Sequence, residues 1–316
     1  MSHPFHSVAV VGAGAVGSFF GAMLARAGHR VTLIGRAPHV AAIERDGLLL
    51  DMAGRVEPVR LAAHTELAAA READLVLFCV KSTDTADVAR ELAPHLADGA
   101  VVMSLQNGVE NAPAIAARVQ RLVVPTVVYV ATEMPEPGRV RHHGRGDLVI
   151  GALGAAAAED PAVERRLQDV VDFFASAGVP VRISPDVMAE LWSKLLVNCA
   201  YNAISGLAQA NYGQLAAQPE IRALQHELVR EVVALAAAEG VTLPLEPSIE
   251  AMEHIAGAMA GQRSSTAQDM ARGKPSEIDH LNGFVARRGA ELGVPTPVNR
   301  TLHALVKLVE RTRGEP

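Results

Sequence analysis

Ser7-Val-Ala-Val-Val-Gly12-Ala-Gly14-Ala-Val-Gly17 is the stretch from which the rest of the chain is read. Residues 7–11 form a short β-branched run, which reads as a buried strand, and the glycines follow at once. Residues 18–27 read as a helix closed by Gly28, and residues 31–34 as a second strand. Strand, helix and strand make a βαβ unit, with parallel strands and a right-handed crossover. In that context the glycines have separate roles in a dinucleotide-binding turn. Gly12 makes the tight turn, Gly14 lets the backbone approach a pyrophosphate, and Gly17 lets helix and strand pack closely. The helix N-terminus offers N–H groups and a positive dipole end to phosphate. Gly12, Ala13, Gly14, Ala15, Val16 and Gly17 are therefore the candidate cofactor turn.

The alternation continues. Residues 75–80 are apolar on both faces, as a central parallel strand should be, residues 83–96 are helical, and 100–104 are a strand. A helix over 112–119 and a strand over 122–130 follow, then a hairpin of 140–143 with 148–150 around residues 144–146. A helix over 161–177 and a strand over 181–184 complete an α/β arrangement, a Rossmann-like doubly wound sheet. Beyond Ser184 the pattern is all helical, with helices expected over 186–210, 219–239, 248–260, 264–272, 276–292 and 299–312. Pro185 marks the boundary, giving domains of residues 1–184 and 185–316.

Composition narrows the function classes. The chain of 316 residues is 49% hydrophobic, 20% charged and carries a net charge of -6, which suits a folded two-domain protein. It argues against nucleic-acid or anionic-membrane partners, which favour a basic surface. The N-terminal stretch has no basic region or cleavage site, and no apolar run is long enough to span a bilayer. Cys79 and Cys199 sit in apolar runs and read as buried thiols, with no zinc-type spacing. A cytoplasmic protein in a reducing compartment is expected.

The second strand ends Ile34-Gly-Arg36. An NAD site usually carries an acid there for the ribose 2′-hydroxyl. A guanidinium in its place suits a 2′-phosphate, so NADP (as NADPH) is the expected cofactor, and residues 1–184 its binding domain. Lys81 and Asn107 follow two later strands, at the carboxyl edge where ligands of such sheets bind. Each also fits an ordinary loop position.

In the helical half, Lys194, Asn198 and Asn202 recur every four residues and share one helix face amid apolar neighbours. Two asparagines in a helix interior suit a polar cleft wall, although a solvated face gives the same spacing. Ser264 and Ser265 open a helix whose hydroxyls suit a carboxylate, or simply cap it. Glu277 is expected in the first turn of the helix after Pro275, where the dipole keeps it ionised. A Tyr-x-x-x-Lys pair is absent, since none of Tyr129, Tyr201 and Tyr212 has a lysine four residues on.

Together these residues resemble the ketopantoate reductase (2-dehydropantoate 2-reductase) family over nearly the whole chain. The matching pieces are the glycine turn, Arg36, Lys81, Gln106-Asn-Gly108, Glu190-Leu-Trp-Ser-Lys194-Leu-Leu-Val-Asn198, Asn202, Ser264-Ser265, Gln268-Asp269, Glu277-Ile-Asp279 and Asn282-Gly283. The resemblance implies NADPH-dependent reduction of 2-dehydropantoate to pantoate in pantothenate and coenzyme A synthesis. It makes Lys194 the proton donor and places Asn107 and Glu277 at the cofactor–substrate junction. It adds Ala131 to the cofactor contacts and assigns substrate contacts to Asn198, Asn202 and Ser265 with its neighbour Ser264. The family's further asparagine falls at Tyr212, with Asn211 one residue away, so the contact to the distal end of the substrate lies in the Asn211-Tyr212 region, with Asn211 a candidate substrate residue. The alternatives are a reductase of another small 2-oxo acid and a non-catalytic NADP-binding regulator. The apolar stripe Leu302, Leu305, Val306 and Val309 suits a homodimer interface or a monomer core.

Overall fold

A computed structural model of the chain describes residues 4–314. It divides into two compact units, the first ending at Glu190 and the second beginning at Leu191. The first unit contains β1 (Ser7–Val11), α1 (Ala15–Arg26), β2 (Arg30–Ile34), α2 (Ala37–Asp46), β3 (Leu48–Met52), β4 (Arg55–Val59), β5 (Ala62–His64) and β6 (Leu75–Phe78). It continues with α3 (Thr85–Leu92), β7 (Val101–Ser104), α4 (Asn111–Ala116), β8 (Leu122–Glu136), β9 (Arg139–Ile150), α5 (Ala155–Ala158), α6 (Pro161–Ser176) and β10 (Val181–Ile183).

Among the described residues the strands form one sheet in the order β4-β3-β9-β8-β7-β6-β1-β2-β5, with β10 alongside β9. From β5 to the start of β8 all pairings are parallel. Strand order reverses between β1 and β6, and this is the switch point at which doubly wound sheets bind ligands. The alternation of side chains splits the core in two. Val8 and Val10 join Phe20, Leu33 and Phe174 on one face, while Ala9 and Val11 join Val76, Leu92 and Ile115 on the other.

Beyond β8 the sheet is mixed, and here the sequence reading is corrected. Residues 139–150 are one strand, β9, paired antiparallel with β8 around a turn at Pro137-Gly138, not a hairpin of their own. Gly144, Arg145 and Gly146 have φ of 155°, 56° and 140° and lie within β9, where the register with β8 shifts. Glycines inside a strand mark a bulge as readily as a turn. The antiparallel pair β3 and β4 was not expected. Its Asp51, 5% exposed, breaks the apolar run and is bound by Arg139 and Arg141 of β9.

The second unit is helical among its described residues. The division between units falls within α7 (Val187–Ala208), and α8 (Tyr212–Ala216), α9 (Pro219–Ala238), α10 (Leu245–Ala258), α11 (Ser265–Ala271), α12 (Asn282–Leu292) and α13 (Pro297–Gly314) follow. Leu195, Leu196, Leu228, Val232 and Val285 are buried at its centre. The expected helix over 276–292 is broken. Residues Ile278–His280 form a 3-10 turn, and Leu281, at φ -113° and ψ -105°, separates it from α12. The apolar stripe of α13 divides: Leu302 and Val306 are buried and Val309 half-buried, whereas Leu305 is 43% exposed. Buried Glu231 of α9 accepts from the backbone of Val298 and Asn299 and from Asn299 Nδ2, so a carboxylate caps the start of α13.

Candidate active site

The glycine turn shows why each glycine stands where it does. Gly12 has φ +110°, and a Cβ there would lie 2.6 Å from the Cys79 carbonyl carbon. A Cβ on Gly17 would meet the Gly12 oxygen at 2.2 Å and Val10 at 2.9 Å. Both positions are closed by this chain's own backbone. Gly14 differs: it is exposed, its Cβ position has nothing within 4 Å, and it starts α1 with no capping side chain. No acidic residue occupies the first turn of α1. An open, uncapped helix N-terminus fits a pyrophosphate, and the cradle therefore suits a dinucleotide. Ala13 is buried, its Cβ against Gly35, so it offers a ligand its backbone alone. Ala15 and Val16 are half-buried at the helix start.

Arg36 stands exposed just before α2, and its guanidinium forms no ion pair among the described residues. Lys81 is exposed before a 3-10 turn over Ser82–Asp84, past the end of β6. Asn107 follows β7 and is held from below by a buried amide network. Asn111 Nδ2 donates to the Asn107 carbonyl at 2.6 Å and to Ser82 Oγ at 3.1 Å. Thr85 Oγ1 donates to Asn111 Oδ1 at 2.8 Å. Gln106 Nε2 donates to Thr85 Oγ1 at 2.7 Å and the Val80 carbonyl at 3.0 Å. The network locks the two loops after β6 and β7 together, and the Asn107 amide has no partner among the described residues. Asn111 and Thr85 escaped the sequence reading because a helix-start asparagine and threonine signal only capping. Ala131 is half-buried in β8, opposite Gly144 at the bulge.

Within the helical unit, α7 places Lys194, Asn198 and Asn202 on one face, graded from half-buried to buried. The amides of Asn198 and Asn202 have no hydrogen-bond partner among the described residues. Asn202 is 2% exposed and Asn198 half-buried. Nearly enclosed amides without partners carry an unmet desolvation cost that a polar ligand would relieve.

The two serines separate. Ser264 is 1% exposed, and its Oγ accepts from Ala267 N and donates to the Asn202 carbonyl, capping α11 and tying it to α7. Ser265 is exposed and is the serine able to meet a ligand. Asn211 forms a capping box with Gln214, its Oδ1 accepting from Gln214 N at 2.9 Å, which commits that oxygen to α8. Tyr212 is buried with its ring 4.6 Å from that of Tyr201, and burial pushes its hydroxyl pKa up. Glu277 does not lie in a helical first turn. It is half-buried ahead of the 3-10 turn, so no helix dipole acts on it as expected. Cys79 and Cys199 are free thiols whose burial raises their pKa well above the usual range, which leaves them unreactive.

Comparison with known proteins adds the following. The chain matches the family described as ketopantoate reductase PanE/ApbA over residues 8–155. It matches ketopantoate reductase PanE/ApbA C terminal over residues 186–310. It is 35% identical over 308 residues to the 2-dehydropantoate 2-reductase of Halobacterium salinarum, covering 96% of this chain and 99% of that one. Among solved structures it resembles a PanE/ApbA family ketopantoate reductase from Ralstonia eutropha JMP134 at 50% identity and a TM-score of 0.89, covering 98% of this chain and 100% of that one. It also resembles a D-mandelate dehydrogenase solved with NADH and anilino(oxo)acetate, at 25% identity and a TM-score of 0.90, over 97% of this chain and 99% of that one. No helix among the described residues is long and apolar enough to cross a membrane.

Proposed function

This chain belongs to the ketopantoate reductase family and is an oxidoreductase, and from that premise we propose that it reduces 2-dehydropantoate to pantoate with NADPH, in the cytoplasm, on the route to pantothenate and coenzyme A. The observation that carries the reading is the α7 face, where Lys194 stands in line with two unpartnered amides. Residues 1–184 are assigned to cofactor binding and residues 185–316 to substrate binding and catalysis. When bound, NADPH supplies the hydride.

Gly12 to Gly17 present backbone N–H groups to the pyrophosphate, with Gly14 giving the close approach. Arg36 holds the 2′-phosphate, and Lys81 adds positive charge at the same sheet edge. Asn107 and Ala131 complete the cofactor contacts. The Lys194 ammonium donates a proton to the C2 oxygen of the substrate as the carbonyl becomes an alkoxide. Asn198 and Asn202 hydrogen-bond the substrate oxygens, Ser265 meets the carboxylate, and Glu277 orients the reacting groups. The committed oxygens of Ser264 and Asn211 make these two residues supports of the substrate wall.

The likeness to a D-mandelate dehydrogenase favours a second reading, in which another 2-oxo acid or NADH is used. One assay separates them. Oxidation of NADPH and NADH is followed at matched concentrations of 2-dehydropantoate, pyruvate, 2-oxoisovalerate and a phenyl-substituted 2-oxo acid. The highest kcat/KM is expected for 2-dehydropantoate with NADPH. Turnover of 2-dehydropantoate no better than of the others would overturn the substrate assignment.

A further inference from the structure

Asn299, His303, Lys307 and Glu310 recur at helical spacing along α13, and each bonds to the segment 276–282 or to a neighbour that does. Glu310 Oε1 accepts from Ser276 N at 2.9 Å and from Ser276 Oγ at 2.6 Å. Lys307 bridges Glu310 at 3.1 Å and Asp279 Oδ2 at 2.8 Å. His303 Nε2 meets Asp279 Oδ1 at 2.6 Å. Asn299 Oδ1 accepts from Asn282 Nδ2 at 2.9 Å, and the same amide reaches the Cys199 carbonyl of α7 at 3.1 Å. Gly283 is required beneath this clasp, because a Cβ there would lie 2.8 Å from the His303 ring.

The bonds flank Glu277 on both sides. Ser276 is 3% exposed and Asn282 and Asn299 are fully buried, so the clasp is paid in desolvation that apolar packing would avoid. Burial opposes ionisation of Asp279, but the bonds from His303 and Lys307 outweigh it and hold the carboxyl below its ordinary range. The segment they hold is the one that departs from the regular helix the sequence suggests. A polar stripe bonded to a segment that is not α-helical fixes geometry more than it adds stability.

We propose that α13 is the positioning element of the reaction: Glu310, through Ser276, and Lys307 with His303, through Asp279, set where the Glu277 carboxylate stands. The inference rests on the reading of Glu277 as a group at the cofactor–substrate junction. Glu310 is a positioning residue and touches no substrate.

The test compares Glu310→Ala, Glu310→Gln, Ser276→Ala, Glu277→Ala and the double Glu277→Ala/Glu310→Ala variant in steady-state kinetics. Glu310→Ala is expected to lower kcat about tenfold or more, as small misplacements do, with the KM for NADPH little changed. Glu310→Gln keeps the accepting oxygen and should recover most of the loss. Ser276→Ala, which leaves α13 intact, should show a smaller fall in kcat and carries the test if Glu310→Ala fails to fold. The double variant should be no slower than Glu277→Ala alone. Unchanged kcat in Glu310→Ala or, where that does not fold, in Ser276→Ala, while Glu277→Ala is impaired, overturns the inference, as does an additive loss in the double variant. Normal kcat in Glu277→Ala instead overturns the reading of Glu277, and the inference falls with it.

Discussion

Replacing Gly14 by alanine separates binding from folding at the glycine turn. Gly14 has φ -80° and ψ -173°, extended backbone that any residue adopts, and its Cβ position is empty to 4 Å. Alanine therefore meets no protein atom. A less flexible unfolded chain favours the variant by roughly 0.4–1 kcal/mol, and alanine's poorer N-capping offsets a similar amount. The melting temperature should stay within about 4 °C of the parent. The space a methyl would occupy is the space a phosphate needs, so one charge-assisted hydrogen bond is weakened or lost. That is worth ~1.5–3 kcal/mol, or roughly ten- to hundredfold in Kd. Gly17→Ala is the contrast. Its Cβ collides with the Gly12 oxygen at 2.2 Å, and overpacking costs ~1–3 kcal/mol or more before any ligand is added. NADPH fluorescence titration and thermal unfolding on the same preparations give both readouts. An unchanged Kd for Gly14→Ala, or a stability loss matching that of Gly17→Ala, would refute the reasoning.

Three further outcomes are expected. Lys194→Ala should lower kcat by about a hundredfold or more while NADPH still binds, and near-normal kcat would remove Lys194 as the acid. Arg36→Ala should weaken NADPH by roughly tenfold and leave NADH nearly unaffected, so an equal loss for both would refute the 2′-phosphate role. Hydrogen bonds from Arg141 and then Arg139 hold the Asp51 carboxyl below its ordinary 3.8. A depressed folded-state pKa means that the contribution is complete above the unfolded value and is lost as pH falls through the folded one. Asp51→Asn should therefore be less stable at neutral pH and lose less melting temperature between about pH 5 and pH 3 than the parent. Parallel melting curves across that range would exclude the coupling.

The parts of this molecule set by local rules were legible in the sequence. Gly12 to Gly17 following a β-branched run specify a strand, a turn and a helix within a dozen residues, and the structure has them. Where tertiary pairing decides, the reading failed. Strand β3 has no clear local signal, because Asp51 interrupts its apolar run and the arginines that bind Asp51 lie far along the chain in β9. Gly144 and Gly146 carried the signature of a turn and became a bulge, since the partner strand β8 sets the register and is not visible locally. The preceding proline suggests a helical first turn for Glu277, whereas it lies ahead of a 3-10 turn, beside Ser276, whose N–H donates to Glu310 of α13. The spacing of Lys194, Asn198 and Asn202 puts them on one face of α7, but that the amides of Asn198 and Asn202 lack partners depends on the packing of the whole helical unit. His303, Lys307 and Glu310 carry no local signal of their bonds, because charged residues at that spacing ordinarily form a solvated helix surface.

Glu231 bears on what the loss of α13 would do. Its carboxylate is buried and accepts three hydrogen bonds, from the backbone of Val298 and Asn299 and from Asn299 Nδ2. A nonsense codon or a protease cut before residue 297 would remove those donors together with buried Leu302 and Val306, whose burial contributes about 1.5–3 kcal/mol each. That is a large share of the stability of a typical domain. A chain cut there loses part of its interior, because α13 is packed into the helical unit and is no detachable tail.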